Sequence, residues 1–465
     1  MGGRPSLSKN SMPVSTSTTT ETPRLPPGFR NAYWFALFNA LSFQIVLSSP
    51  MVLYARSLGA SATVLGVVVS MMPLLVIFQI PAAQYIPRLG FRRFVYAGWG
   101  IRVAFIFGMA AVPLLGAFLD KGTQLALLLF LLFGFNLSRG ISSCAWLPWI
   151  TSLVPEEIRG RYLARDAAVV NLGSIVVFLV AALFLGSNPQ PVHFSLLFVF
   201  SAVAGAASLT FLKRMPDVPV PQEPAGGTGE VPWGAILGHP PFQRLLVTVM
   251  LWAVVYGGMQ AFPVAYLKTE AALTEGRILL LSSALYLGGM GSLWLFGSRL
   301  DALGSRPVMA LAFGVFVLIL GGWWLMAANV VAVSPVLLMG LLGAMGLFAA
   351  SANMAFTRLA MASVPVMGRN HFFAIFSVAW NVTQGVAPIL WGMMIDAIGD
   401  FRHQTTGVEW NRYSIFFAAA ALVTLAALLS TRRLVEPKAA GFEDLLRDLL
   451  LRAPMKFWFR LWPRG

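Results

Sequence analysis

Charge is what this sequence has least of. Only 11% of its 465 residues are Asp, Glu, Lys or Arg, against roughly 25% in an ordinary water-soluble domain, and 57% are hydrophobic. Water is therefore not the main solvent for the chain. Cysteine is nearly absent as well: a lone Cys144 excludes an internal disulfide and any Cys-based metal cluster. The histidines (His193, His239, His371 and His403) stand apart, with no HExxH spacing and no nearby nucleophile and base. An enzyme is not expected, nor is a cofactor or a metal. The first thirty residues lack a short apolar region followed by a small-residue cleavage site and are rich in Ser, Thr and Pro, so residues 1–30 read as a disordered tail rather than a signal peptide.

Acidic side chains are also missing from the middle of every apolar run. All 18 Asp and Glu residues fall in loops, tails or near run ends, with Asp166 and Asp301 near one side and Asp396 near the other. A transporter that moves protons through a buried acid commonly keeps one near mid-membrane. Proton coupling of that kind is disfavoured by this pattern.

The apolar runs themselves are abundant: 32–55, 62–86, 94–118, 123–153, 165–187, 192–212, 242–267, 277–298, 307–328, 333–358, 371–396 and 412–431. A bilayer core of about 30 Å takes roughly 20 apolar residues as a helix. Spanning strands would be about ten residues long with strict alternation, which Leu125 to Phe133 does not show. Backbone polar groups in lipid must be satisfied within the segment, so an all-α membrane protein of twelve transmembrane helices is expected.

Of the 33 Lys and Arg residues, 25 fall on the side of the termini, six on the other, and Arg102 and Arg139 fall inside runs. The bias predicts both termini in the cytoplasm and a multi-pass protein of the cell (inner) membrane. It also accounts for the net charge of +15, so no nucleic-acid partner is expected. The Pro- and Gly-rich stretch within 214–241 reads as a linker between two six-helix bundles, 31–213 and 242–433. Residues 434–465 carry Phe442, Leu445, Leu446, Leu449 and Leu450 at helical spacing, then the aromatic and basic run Met455 to Trp462. An amphipathic helix on the inner membrane face is expected there, with a partner-docking helix as the alternative.

The two halves repeat each other. At an offset of 210, Val154-Pro155, Arg159, Tyr162, Ala164 and Asn171 fall on Val364-Pro365, Arg369, Phe372, Ala374 and Asn381. Between the eighth and ninth runs, the segment Gly297 to Arg306, with Asp301 and Gly304, resembles the loop signature of the major facilitator superfamily. Its first-half counterpart, Ala83 to Arg93, contains Arg88, Gly90 and Arg92 but has Pro87 where that family usually has Asp. With the 6+6 repeat and central linker, the resemblance covers essentially the whole chain. It implies two pseudo-symmetric six-helix bundles, alternating access, and a gate in which Asp301 meets the start of the fifth helix near Arg159. The reciprocal contact toward Arg369 lacks its acid, and the alternative for Arg88, Arg92 and Arg93 is ordinary topology-setting charge.

Within the runs, Arg139 lies about 14 residues, or roughly 21 Å, from the cytoplasmic end of the fourth. It is the foremost candidate for holding an anionic or carbonyl-bearing substrate; the competing reading is a buried structural Arg bonded to carbonyls. Asn136, Arg139, Ser143 and Trp146 share a helical face. Arg102 lies only about nine residues in, within snorkelling reach, and reads as structural. Further candidates are Asn39 on the first run, Tyr256 and Gln260 on the seventh, Asn353 on the tenth, and Asn381 and Gln384 on the eleventh. Each has interhelical hydrogen bonding as its simpler reading.

The expected function is secondary active or facilitative transport of a small molecule, anionic or polar and neutral, by a monomer in membrane lipid. A drug or metabolite efflux pump of the same fold and a non-transporting assembly factor or sensor are the alternatives.

Overall fold

The computed structural model describes residues 28–220, 238–363 and 369–434, with Glu436 and Leu445. Side chains are described for all of these except residues 156–161, 164, 297–303, 362–363 and 369–371. Most of the linker and of the expected amphipathic tail therefore lies outside the described residues.

Twelve helices are long and apolar enough to cross a bilayer. In the first half they are Asn31–Ser57 (span 1), Ala62–Leu89 (span 2), Phe91–Ala117 (span 3), Lys121–Leu153 (span 4), Arg165–Leu185 (span 5) and Pro191–Lys213 (span 6). In the second they are Pro240–Thr269 (span 7), Glu275–Phe296 (span 8), Ser305–Ala327 (span 9), Pro335–Met361 (span 10), Phe372–Ile398 (span 11) and Arg412–Thr431 (span 12). Every bound falls within three residues of its hydropathy expectation. An even number of spans leaves both chain ends on one side, the termini side, opposite a far side.

The helix ends are set by local chemistry. Asp120 accepts from the amides of Gly122 and Thr123 at 2.9 and 3.1 Å, which satisfies two free donors at the start of span 4. Asn411 does the same for span 12, taking the amides of Tyr413 and Ser414 at 3.0 Å. Gly90 and Gly304 precede spans 3 and 9 with φ of 78° and 94°, a conformation that side-chain-bearing residues resist.

Several spans are interrupted. Span 1 breaks at Ser48, which is extended, and restarts ahead of Pro50; span 7 pauses at Gln260 and Ala261 ahead of Pro263. Span 4 pauses between Ser143 and Trp146, ahead of Pro148, and span 2 tightens into a 3-10 turn at Leu75–Phe78 just past Pro73. Proline lacks the N–H for the i−4 bond and clashes with that carbonyl, so the helix restarts with proline near its first turn.

Spans 1 and 6, 9 and 12, and 8 and 10 pack within the halves, while spans 2 with 11 and 5 with 8 join the two halves. Between spans 8 and 10 the backbones touch. A Cβ at Gly346 would overlap the carbonyl of Leu285, and one at Gly288 that of Gly343, whereas Gly340 faces open space. Only some of the glycines in these spans are therefore packing devices.

On the far side the halves seal against each other. Asp396 at the end of span 11 accepts from the amides of Ala62 and Thr63 at 2.9 and 2.8 Å, capping span 2 across the interface. The amide of Gly276 donates to the carbonyl of Gly186 at 2.8 Å, joining the ends of spans 8 and 5. An antiparallel hairpin of β1 (Arg402–Thr405) and β2 (Val408–Asn411), which hydropathy did not foresee, links spans 11 and 12. Glu270 binds Arg402 and Arg412 at 2.7 Å each. Glu409 accepts from Asn329 at 2.6 Å and pairs with Arg402 at 3.0 Å. The Asn329 bond, aided by Asn411 and Arg402, holds the Glu409 carboxyl below the usual carboxylate range.

Candidate functional site

A cavity of about 560 Å³ lies between the halves. Its wall reaches Phe35 and Ala36 near the termini-side start of span 1 and Asp166 near the start of span 5, and on span 1 it ends at Ser48, where the helix breaks. Beyond it on the far side stand the contacts of Asp396 and Gly276.

The polar atoms on this wall come from both halves. From the first come Asn39, Gln44, Ser48, Arg102, Arg139, Ser143 and Asn171; from the second come Tyr256, Gln260, Tyr286, Asn353 and Gln384. Spans 1, 4, 7 and 10 line the wall, and so do residues of spans 2, 3, 5, 8, 9 and 11, those from spans 2 and 9 being apolar. Of the candidates read from the sequence, Asn39, Arg139, Ser143, Tyr256, Gln260, Asn353 and Gln384 converge on it. Asn381 does not: its amide bonds the carbonyl of Ser377 one turn back at 2.8 Å, and its side chain borders a crevice between spans 2 and 11. Asn136 also leaves the predicted face. It is buried and donates to the Leu132 carbonyl at 3.0 Å, while Arg139, Ser143 and Trp146 line the cavity.

Arg102 and Arg139 are the dominant groups. Arg102 is buried and Arg139 half-buried, both border the cavity, and neither makes a hydrogen bond or ion pair with any described residue; Nε of Arg102 and Nη1 of Arg139 are buried atoms with no acceptor among the described residues. The guanidinium of Arg102 instead lies 4.5 Å from the ring centre of Trp99 and 5.1 Å from that of Phe135. Trp99 is fixed in turn by donating Nε1–H to Oδ1 of Asn39 at 3.1 Å. Although within snorkelling reach, Arg102 lies against these two rings and borders the cavity. A buried guanidinium with donors left over is costly unless something occupies the site.

One carboxylate also borders this volume. Asp166 is the second residue of span 5, and Tyr162 one turn earlier donates to it at 3.4 Å. Hydropathy places it at a helix end, where it is, but does not reveal that this end forms cavity wall. Gln44 ties three elements together: its amide donates to Ser174 at 2.8 Å on span 5, and its carbonyl accepts from Tyr286 on span 8 at 3.2 Å. In the second half Trp252 donates to Oδ1 of Asn353 at 3.0 Å, a tryptophan–asparagine clasp like that of Trp99 and Asn39. Gln44, Trp99 and Tyr286 were missed in the sequence. The one available signal was a polar or indole group amid apolar helix, which is too common to single them out.

Of the gating residues, the side chains of Asp301, Arg159 and Arg369 lie outside the described residues. Arg88 is exposed, and Arg92 pairs with Asp217 beyond span 6 at 3.4 Å. The start of span 9 is capped instead by Glu436, which follows span 12. Its carboxylate accepts from the amides of Ser305 and Arg306 at 2.9 and 2.8 Å and pairs with Arg358 on span 10 at 2.7 Å.

Residues 33–343 and 259–463 match the Major Facilitator Superfamily, and the chain belongs to that family. A variant of the nucleoside transporter NupG shares the fold with a TM-score of 0.68 at 12% identity, covering 88% of this chain and 100% of that one. The inward-open xylose transporter XylE from E. coli does so at 0.63 and 17% identity, covering 90% and 97%. An inward-facing, unoccupied bacterial homologue of the human lysosomal transporter Spinster does so at 0.57 and 13%, covering 91% and 96%. No curated protein sequence matches the chain. The protein is a multi-pass membrane transporter of small molecules, not an enzyme.

Proposed function

We propose that the protein carries a small organic anion by alternating access, with Arg102 and Arg139 as the binding groups. The observation that carries this reading is the pair of cavity-lining guanidiniums that no acceptor among the described residues satisfies. An anionic substrate would supply charge-assisted hydrogen bonds to both, while Tyr256, Gln260, Asn353 and Gln384 would meet its neutral polar atoms from the other half. A site divided this way is remade whenever the halves rock. The Lys and Arg distribution supports termini in the cytoplasm of a cell-membrane protein, so the far-side seal makes this an inward-facing state. Monomeric function fits a cavity built wholly from one chain.

Asp166 favours a second reading, in which a proton travels with the anion and neutralises that carboxylate during reorientation. Uptake or efflux of labelled organic acids by purified protein in liposomes tests both. Transport abolished by Arg139→Ala supports the anion site. Acceleration by an imposed pH gradient, lost in Asp166→Asn, supports proton coupling. Transport of cations alone, indifferent to Arg139→Ala, refutes the anion site.

A further inference from the structure

Away from the cavity, four arginines from three separate places meet at the termini side of the second half. Arg244 lies in the first turns of span 7, Arg306 is the second residue of span 9, and Arg432 and Arg433 follow the last residue of span 12. All four are exposed, and together they line an open pocket of about 570 Å³ with Leu434 and Glu436.

No described residue compensates the charge of these four arginines. Among the described residues Glu436 is the only acid lining the pocket, and both of its oxygens are committed to the amides of Ser305 and Arg306 and to Arg358. Arg306 donates to the Arg432 carbonyl at 3.3 Å and Arg244 to that of Arg433 at 3.4 Å. These are weak main-chain contacts that bring no negative charge. None of the four arginines makes an ion pair with a described residue. The inside-positive bias accounts for arginines in these loops, but not for four of them around one depression with their single acid turned away.

We propose that this pocket binds the phosphodiester headgroup of an anionic phospholipid from the adjoining leaflet. Its place selects that source. Each arginine stands where an apolar span ends, at the depth of the headgroups, and guanidinium forks match phosphate oxygens. The sequence beyond Glu436 adds an independent indication, since it proceeds to the aromatic and basic run Met455 to Trp462, a composition suited to the same interface. A headgroup seated here would bridge spans 7, 9 and 12 beside the Glu436 clamp and tie the second half to its leaflet.

The test uses full-length protein in a neutral detergent, titrated with phosphatidylglycerol, phosphatidylcholine or inorganic phosphate, with melting temperature and bound lipid by native mass spectrometry as readouts. Phosphatidylglycerol is expected to raise the melting temperature and to remain bound. The pair Arg432→Gln and Arg433→Gln should shift its half-saturating concentration upward at least tenfold without changing the lipid-free melting temperature. Arg277→Gln, an exposed arginine on the far side, should leave lipid binding unchanged. Equal stabilisation by phosphatidylcholine, an equal effect of inorganic phosphate at matched concentration, or an unchanged titration in the double variant would each overturn the proposal.

Discussion

Asp396 on span 11 caps the first turn of span 2, accepting the amides of Ala62 and Thr63 at 2.9 and 2.8 Å. The two helices belong to different halves, so this contact has to break for the cavity to open on the far side. A charged cap at a helix start contributes about 0.5–2 kcal/mol. Asp396→Asn keeps the shape but loses the charge, and should move the population toward the far-side-open state by several-fold. A spin-label or fluorophore pair placed at the far-side ends of spans 2 and 11 reads that distance directly; an unchanged distribution would count against a gating role.

Removing either cavity arginine should weaken anion binding by about 10- to 100-fold, since a hydrogen bond to a charged group contributes about 1.5–3 kcal/mol. Arg139→Lys keeps the charge without the planar fork and should fall between wild type and Arg139→Ala. Empty reorientation would leave two guanidiniums dehydrated with no counter-charge. Uptake should accordingly be faster into vesicles preloaded with the same anion than into empty ones. Equal rates would show that the site is neutralised from within, with Asp166 the nearest means.

Much of this was legible in the sequence, and the limits of legibility have physical causes. Span positions follow from hydropathy because lipid enforces length and composition, and Arg139 stands out because a charge in such a run is costly. For Arg102, residue counting measures depth along the helix and not the side on which the guanidinium lies, so its place against Trp99 and Phe135 was not legible. The place of Asn381 was not legible for a related reason: nearness to Gln384 along span 11 does not say which side faces the cavity once span 11 packs on span 2. The capping of span 9 by Glu436 joins residues some 130 positions apart, and no local pattern announces it.

The glycine pattern separates packing from composition. Gly346→Ala and Gly288→Ala place a methyl group against a backbone carbonyl and should cost about 1–3 kcal/mol or more, because overpacking a tight interface forces the helices apart. Gly340→Ala meets nothing within 4 Å and should be neutral or slightly stabilising. Thermal melts of the three variants in one detergent give the comparison, and equal losses in all three would mean that the contact between spans 8 and 10 is not the cause.

Acid should loosen the far-side hairpin. The Glu409 carboxyl titrates below its ordinary range in the folded protein, so its contribution to stability is complete above about pH 4.3 and is lost as pH falls through the depressed value. Glu409→Gln should lower the melting temperature near pH 7 and flatten its fall below pH 4.5. Parallel curves for wild type and variant would assign the acid sensitivity to another group.

The position of Glu436 in the chain has a consequence for how the protein is made. Span 9 enters the bilayer while more than a hundred residues remain to be added, and its first amides gain their carboxylate only after span 12 has left the ribosome. At about 5–20 residues per second that interval is of the order of ten seconds. A stop codon just before Glu436 would yield all twelve spans with the first amides of span 9 left without this carboxylate.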